Sequence, residues 1–181
     1  LSNNPVVSFE FGLIQGFAHS PRVFLNQKRP KPHCRETHEQ ALRFLRDSRD
    51  EGRPAFVYVN DFEPHNPYEP LEDVQERFLR KPVEPSVLAA ARAWANPAVM
   101  GHYLGYGATD QAILDVVPDL YDAEIAGADR EIGAFVEDLR REGLLDDTLL
   151  VITSDHGENL GDHGLWEHKF SLHRSMRHVP L

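Results

Sequence analysis

"TLLVITSDHG", residues 148–157, decides how this chain folds. Leu149, Leu150, Val151 and Ile152 are apolar on both alternating faces, and residues 148–154 are rich in β-branched side chains. That pattern predicts a strand covered on both sides, the kind found inside parallel sheets. Just upstream, Ile125, Ala128, Ile132, Phe135 and Leu139 recur at three- and four-residue steps. They predict an amphipathic helix over 120–142, with Asp119 as N-cap and Gly143 as its stop. A long helix followed by a buried strand is half of a βαβ unit.

The pattern occurs twice. Residues 36–52 predict a helix whose buried stripe is Ala41, Leu42 and Leu45, with Gly52 near its end. "PAFVYVND", residues 54–61, then predicts a second buried strand. Two such units predict an α/β fold, a mainly parallel sheet sandwiched between helices. Between them, the three prolines of "NDFEPHNPYEP" (60–70) call for an ordered loop. Short helices are expected near 71–80 and 85–95, and "MGHYLGYGATD" (100–110) reads as loop or frayed helix. The opening residues 1–17 read as loop with short extended pieces.

A chain of 181 residues suffices for one domain with a sizeable core. The formal net charge of -10 argues against a nucleic-acid partner, which calls for a basic face. Cys34 is the single cysteine, which excludes an internal disulfide framework and any cysteine-rich zinc site. No apolar run approaches the ~18 residues of a membrane-spanning helix. Localisation and oligomeric state stay open.

In open parallel sheets, ligands bind outside the carboxyl ends of the strands. The first predicted strand runs into Asp61, Glu63 and His65; the second runs into Ser154, Asp155, His156 and Glu158. Asp155 and His156 sit at a turn before Gly157, where both side chains can meet one cation. Carboxylate oxygen with imidazole nitrogen suits manganese or zinc by ligand type. The plainer reading makes Ser154 or Asp155 a helix cap. The second Asp-His-Gly, Asp162 to Gly164, follows no strand and reads as a loop folded over the site. Five histidines fall in the last 26 residues, but their spacing suits neither one helical face nor one strand face. Lys169, beside His168, is a candidate anion contact, and His65, held between Pro64 and Pro67, a candidate donor.

Together these residues resemble the sulfatase branch of the alkaline-phosphatase-like superfamily. Residues 121–181, from "YDAEIAGADREIG" to "SMRHVPL", are similar to its C-terminal metal-binding segment, and "FVYVNDFEPHNPYEP" to its central strand and Pro-His loop. Residues 1–17 resemble the segment after an earlier strand. The resemblance implies an alkaline-phosphatase-like fold, here incomplete, with residues 1–181 a partial catalytic domain open at both ends. It implies that Asp155 and His156 are the second pair of metal ligands, for one divalent ion, calcium first and manganese as the alternative. It implies that Lys169, or His168 if the match shifts by one residue, contacts the transferred group, and that His65 contacts the sulfate. Tyr121 and Asp129 match structural helix positions.

The family's nucleophile is a cysteine or serine in a C/S-x-P-S-R setting, matured to formylglycine. Cys34 in "HCRET" and Ser20 in "HSPRV" do not fit it, and Asp146-Asp147 precede a strand where the first metal pair should follow one. The expectation is therefore a fragment of a sulfuric ester hydrolase, inactive alone, acting on a sulfate ester. The alternatives are a phosphonate monoester or phosphodiester hydrolase of the same superfamily and a non-catalytic, anion-binding sulfatase-like domain.

Overall fold

The computed structural model describes all residues except 5, 6, 8–10, 22, 24–33, 96, 107 and 108. The part of "LSNNPVVSFEFGLIQGF" at 5, 6 and 8–10 therefore lies outside the described residues. The chain divides into two compact units, Leu1–Pro64 with Ile125–Leu149, and His65–Glu124 with Leu150–Leu181.

In the first unit the leading helix is α1, Cys34–Asp50. Gly52, at φ 65°, supplies the left-handed residue that lets the chain leave it. Leu42 packs with Leu139 and Leu144, and Leu45, Phe135 and Leu145 close around them. Two arginines of α1 reach acids of the long helix and of the turn that follows it: Arg35 grips Glu131 with two bonds of 2.8 and 2.9 Å, and Arg46 pairs with Glu142. Leu139 is 1% exposed at the centre of this small core. Leu139→Ala is expected to cost about 2–5 kcal/mol of unfolding free energy, read by urea denaturation, through lost contacts and the cavity left behind.

The second unit contains α2 (Glu72–Phe78), α3 (Pro85–Arg92), α4 (Ala98–Leu104) and α5 (Gln111–Leu114). It also holds a two-stranded hairpin of β1 (Asn159–Leu160) and β2 (Trp166–Glu167), and the short α7 (Arg174–Arg177). Its core gathers Tyr68, Trp94, Val99, Leu120 and Trp166 among others, with the two indoles meeting edge to face at 5.2 Å. The Tyr103 hydroxyl donates to the Trp166 carbonyl and accepts from its N–H, both at 2.6 Å, which fixes β2.

The long helix α6, Val117–Arg141, contributes its first turns to this unit and the remainder to the other. It starts earlier than predicted, because Pro118 fits the first turn, where a missing N–H costs nothing. Asp119 is not the cap. Its buried carboxylate accepts from the Arg80 backbone N–H at 3.1 Å and from Arg80 Nε at 2.5 Å. Gly143, at φ 66°, ends the helix as the sequence predicts. Ile125, expected on the buried stripe, is 43% exposed, while Glu124 and Glu131 are buried with partners.

The predicted parallel sheet is absent among the described residues. Residues 149–153 form no strand, and Leu149 is 91% exposed. Residues 54–59 likewise lack strand pairing. Here the parallel contact is a single bridge, Ser2 with Asn60, in which the Leu1 amino group donates to the Tyr58 carbonyl and the Asn60 N–H to the Leu1 carbonyl. A β-branched run marks a segment suited to a sheet, but a strand exists only where another segment satisfies its backbone groups.

Candidate active site

The candidate site lies in the second unit, around the segment after residue 153. The Gly157 N–H donates to the Met176 carbonyl at 2.9 Å, and this close approach leaves no room for a Cβ. Beyond it the chain enters β1, where Asn159 is fully buried. Its amide donates to the Glu167 carbonyl at 2.6 Å, and its oxygen accepts from Ser175 Oγ at 2.8 Å. One side chain thus ties three segments of the loop together.

Asp155 and His156 share the exposed rim of this loop. Asp155 Oδ1 accepts from the His156 backbone N–H at 3.0 Å and lies 3.8 Å from His156 Nε2. His156 Nδ1–H donates to the Gly157 carbonyl at 2.8 Å, which leaves the Nε2 lone pair turned outward. A backbone carbonyl on the far ring nitrogen is the arrangement that orients an imidazole for a metal. A separation of 3.8 Å is shorter than two ligand distances of ~2.0–2.5 Å end to end, so both atoms can reach one ion. The pair therefore fits a divalent cation as a half-site of two ligands.

Two further imidazoles lie beside it. His168 lies 4.5 Å from His156 and 5.2 Å from His65, measured between ring centroids. His65 Nδ1–H donates to the Asn66 carbonyl at 2.5 Å, fixing its ring. His168 Nδ1–H faces both oxygens of Glu158, at 3.2 and 3.4 Å. Glu158 is nearly buried and also accepts from the Tyr68 hydroxyl at 3.1 Å. Burial and the Glu158 charge push the Tyr68 pKa well up, so this phenol remains a donor. The Glu158 hydrogen bond, against opposing burial, raises the pKa of His168.

His168 consequently keeps its positive charge at a pH where an ordinary imidazole has lost it, and gives it up as pH rises through the raised pKa. Glu158→Gln is expected to bring the His168 pKa down toward the ordinary range near 6.5, as followed by NMR titration of the ring protons.

The Lys169 amine is taken up by the buried carboxylate of Glu167. Glu167 and Phe170, flanking the His168-Lys169 pair, both have positive φ, at 59° and 62°, an uncommon conformation for side-chain-bearing residues that often accompanies functional loops. Asp162 accepts from the Leu160 N–H at 3.2 Å as part of the hairpin turn, and His163 stacks on His173 at 4.0 Å. Tyr68 and Asn159 are the contributors that sequence reasoning missed; Glu158, three residues past Asp155, was placed at the end of the predicted strand but given no role.

With this geometry in view, the sulfatase family model matches residues 7–181, and the chain belongs to the sulfatase family. A choline-sulfatase of Rhizobium meliloti (strain 1021) is 41% identical over 61 residues, 34% of this chain and 12% of that protein. The multifunctional alkaline phosphatase superfamily protein PehA of Trinickia caryophylli is 31% identical over 144 residues, 70% of this chain and 27% of that protein. Human iduronate 2-sulfatase is 26% identical over 165 residues, 81% and 29% respectively. The chain thus spans less than a third of the length of these curated relatives. No solved structure matches it. Membership implies the alkaline-phosphatase-like α/β fold and a family that typically uses a divalent metal. No described helix is long and apolar enough to cross a membrane.

Proposed function

We propose that these residues form the metal-and-donor half of a sulfate ester hydrolase. The observation that carries this reading is the convergence of His65, His168 and His156 beside the Asp155 carboxylate. Asp155 and His156 would hold the cation, calcium by family resemblance or manganese. When bound, it supplies Lewis-acid stabilisation of charge on the transferred group.

The remaining chemistry falls to the chain's own donors. Glu158 holds His168 in its charged, donating form, and Tyr68 holds Glu158. Nε2–H of His168 then meets an oxygen of the sulfuryl group as negative charge grows there. His65, its ring fixed by the Asn66 carbonyl, offers a second contact to the same group. Donors already in place cost no reorganisation at the moment of reaction. Lys169 serves the same anion only by leaving Glu167, so His168 is the stronger candidate of the two. The nucleophile, a formylglycine by resemblance, comes from outside these 181 residues, which together form part of the alkaline-phosphatase-like catalytic domain with its mainly parallel sheet.

The similarity to PehA favours a second reading, a phosphonate monoester or phosphodiester hydrolase. Comparing kcat/KM of the whole protein for an aryl sulfate and an aryl phosphodiester separates the two. The sulfate should be preferred, and the preference should survive in His65→Ala and His168→Ala while kcat falls. A phosphodiester preference overturns the sulfatase reading.

A further inference from the structure

The first unit contains a second group of metal-ligating side chains, none of which belongs to the Asp155-His156 pair. Cys34 and His38 are one turn apart at the start of α1, so both side chains leave the same helix face. Asp61 comes from the segment after the Ser2–Asn60 bridge. One ligand atom from each of the three lies within 4.8 Å of the others. Cys34 is fully buried, and the His38 side chain is 7% exposed.

We propose that Cys34, His38 and Asp61 form a binding site for a borderline-soft divalent transition metal of the zinc class.

The donor set selects the metal. A thiol sulfur with an imidazole nitrogen suits zinc or cobalt, whereas calcium and magnesium avoid sulfur ligands. Zinc bonds of about 2.0–2.3 Å place ligand atoms roughly 3–4 Å apart, so only small movements collect these three around one ion. His38 Nε2 and Asp61 Oδ2 already lie 2.8 Å apart, joined by a hydrogen bond that a metal would replace.

The polar atoms left over point the same way. Asp61 Oδ1 and His38 Nδ1 are buried without hydrogen-bond partners, although such groups normally find one. The Glu131 carbonyl is near enough to favour the imidazolium but forms no bond of good geometry with Nδ1. Charge around the sulfur is also one-sided. Burial and the carboxylates of Glu63, Asp61 and Glu131 push the Cys34 pKa far up, so the thiol stays protonated until a cation arrives. Metal binding would remove that proton and balance the carboxylates. Glu63 is itself held by the Cys34 N–H at 3.2 Å and by Asn3 Nδ2 at 3.0 Å, which keeps acid beside the site.

The test is a cobalt titration of the protein carrying Asp155→Ala and His156→Ala, which silences the other pair and makes the result independent of the sulfate-ester reading. Cys34 is the single cysteine of the 181 residues, so a thiolate-to-cobalt charge-transfer band reports this site. The expected result is one cobalt per chain with that band, displaced by zinc. The band should vanish in Cys34→Ser, and Asp61→Asn should weaken affinity at least about tenfold, the scale on which even supporting residues act. If Cys34→Ser fails to fold, Asp61→Asn decides instead, by the loss of cobalt affinity and of the band. No cobalt binding, binding without the charge-transfer band, or an Asp61→Asn variant that binds as the parent does, would overturn the proposal.

Discussion

Gly157→Ala is expected to damage the candidate site more than the same change at any other described glycine. A Cβ at this position would lie 1.9 Å from the Ser175 carbonyl oxygen and 3.0 Å from its carbon. Both obstacles are backbone, so no side-chain rotation relieves them. The segment at 156–157 must then move away from 175–176, breaking the Gly157–Met176 hydrogen bond of 2.9 Å. Asn159 holds the other side in place through Glu167 and Ser175, so the strain falls on His156. Overpacking of this kind costs about 1–3 kcal/mol and sometimes more. A displacement of about 1 Å at a reacting group costs on the order of a hundredfold in rate. Thermal unfolding should show the first loss, and kcat of the whole protein carrying the variant the second. A variant matching the parent in both would show that the approach of these two backbones is not needed.

Trp166→Ala should give the largest loss of stability in the second unit, about 3–5 kcal/mol. The indole is nearly buried in the core and meets Trp94 edge to face at 88°. Gly161, at φ 101°, lies against the same ring, where a Cβ would come to 3.4 Å. Removing the indole therefore empties the space that shapes the hairpin turn as well as the core. Because Trp166 precedes Glu167 and His168 directly, the loss should also loosen the donor group. Urea unfolding followed by Trp94 fluorescence measures the first effect, and Trp166→Phe should recover a substantial part of it. A loss below about 1 kcal/mol would mean that the indole is not packed as described.

Helices were legible in this sequence because each carries its own evidence. The stripes of α1 and α6 follow helical spacing, and Gly52 and Gly143 take the left-handed conformation that their places after the helices call for. Even so, Ile125 is exposed and Glu131 buried, because an arginine on another helix can make an acid a better core neighbour than periodicity suggests. The sheet was less legible. Phe56 to Asn60 and Leu149 to Thr153 have the composition of buried strands, but a strand needs a partner that no run of residues names for itself. At the candidate site, Asp155, His156 and His65 were named from residue type and place in the chain, and His168 only through the resemblance to the sulfatase family. Asn159, Tyr68 and Glu158 act through hydrogen bonds that span many residues, and such closures leave no period. The Cys34-His38-Asp61 group was not read from the sequence, because Asp61, from a different segment, completes it only in three dimensions.

Calcium titration of the whole protein, followed by calorimetry in the parent and in Asp155→Ala, tests the central claim most directly. Calcium avoids thiolate ligands, so the Cys34 group does not contribute to the signal. If Asp155 and His156 grip one cation beside the two further imidazoles, the parent binds one ion per site and the variant loses most of that affinity. Equal binding by the two proteins would contradict the claim.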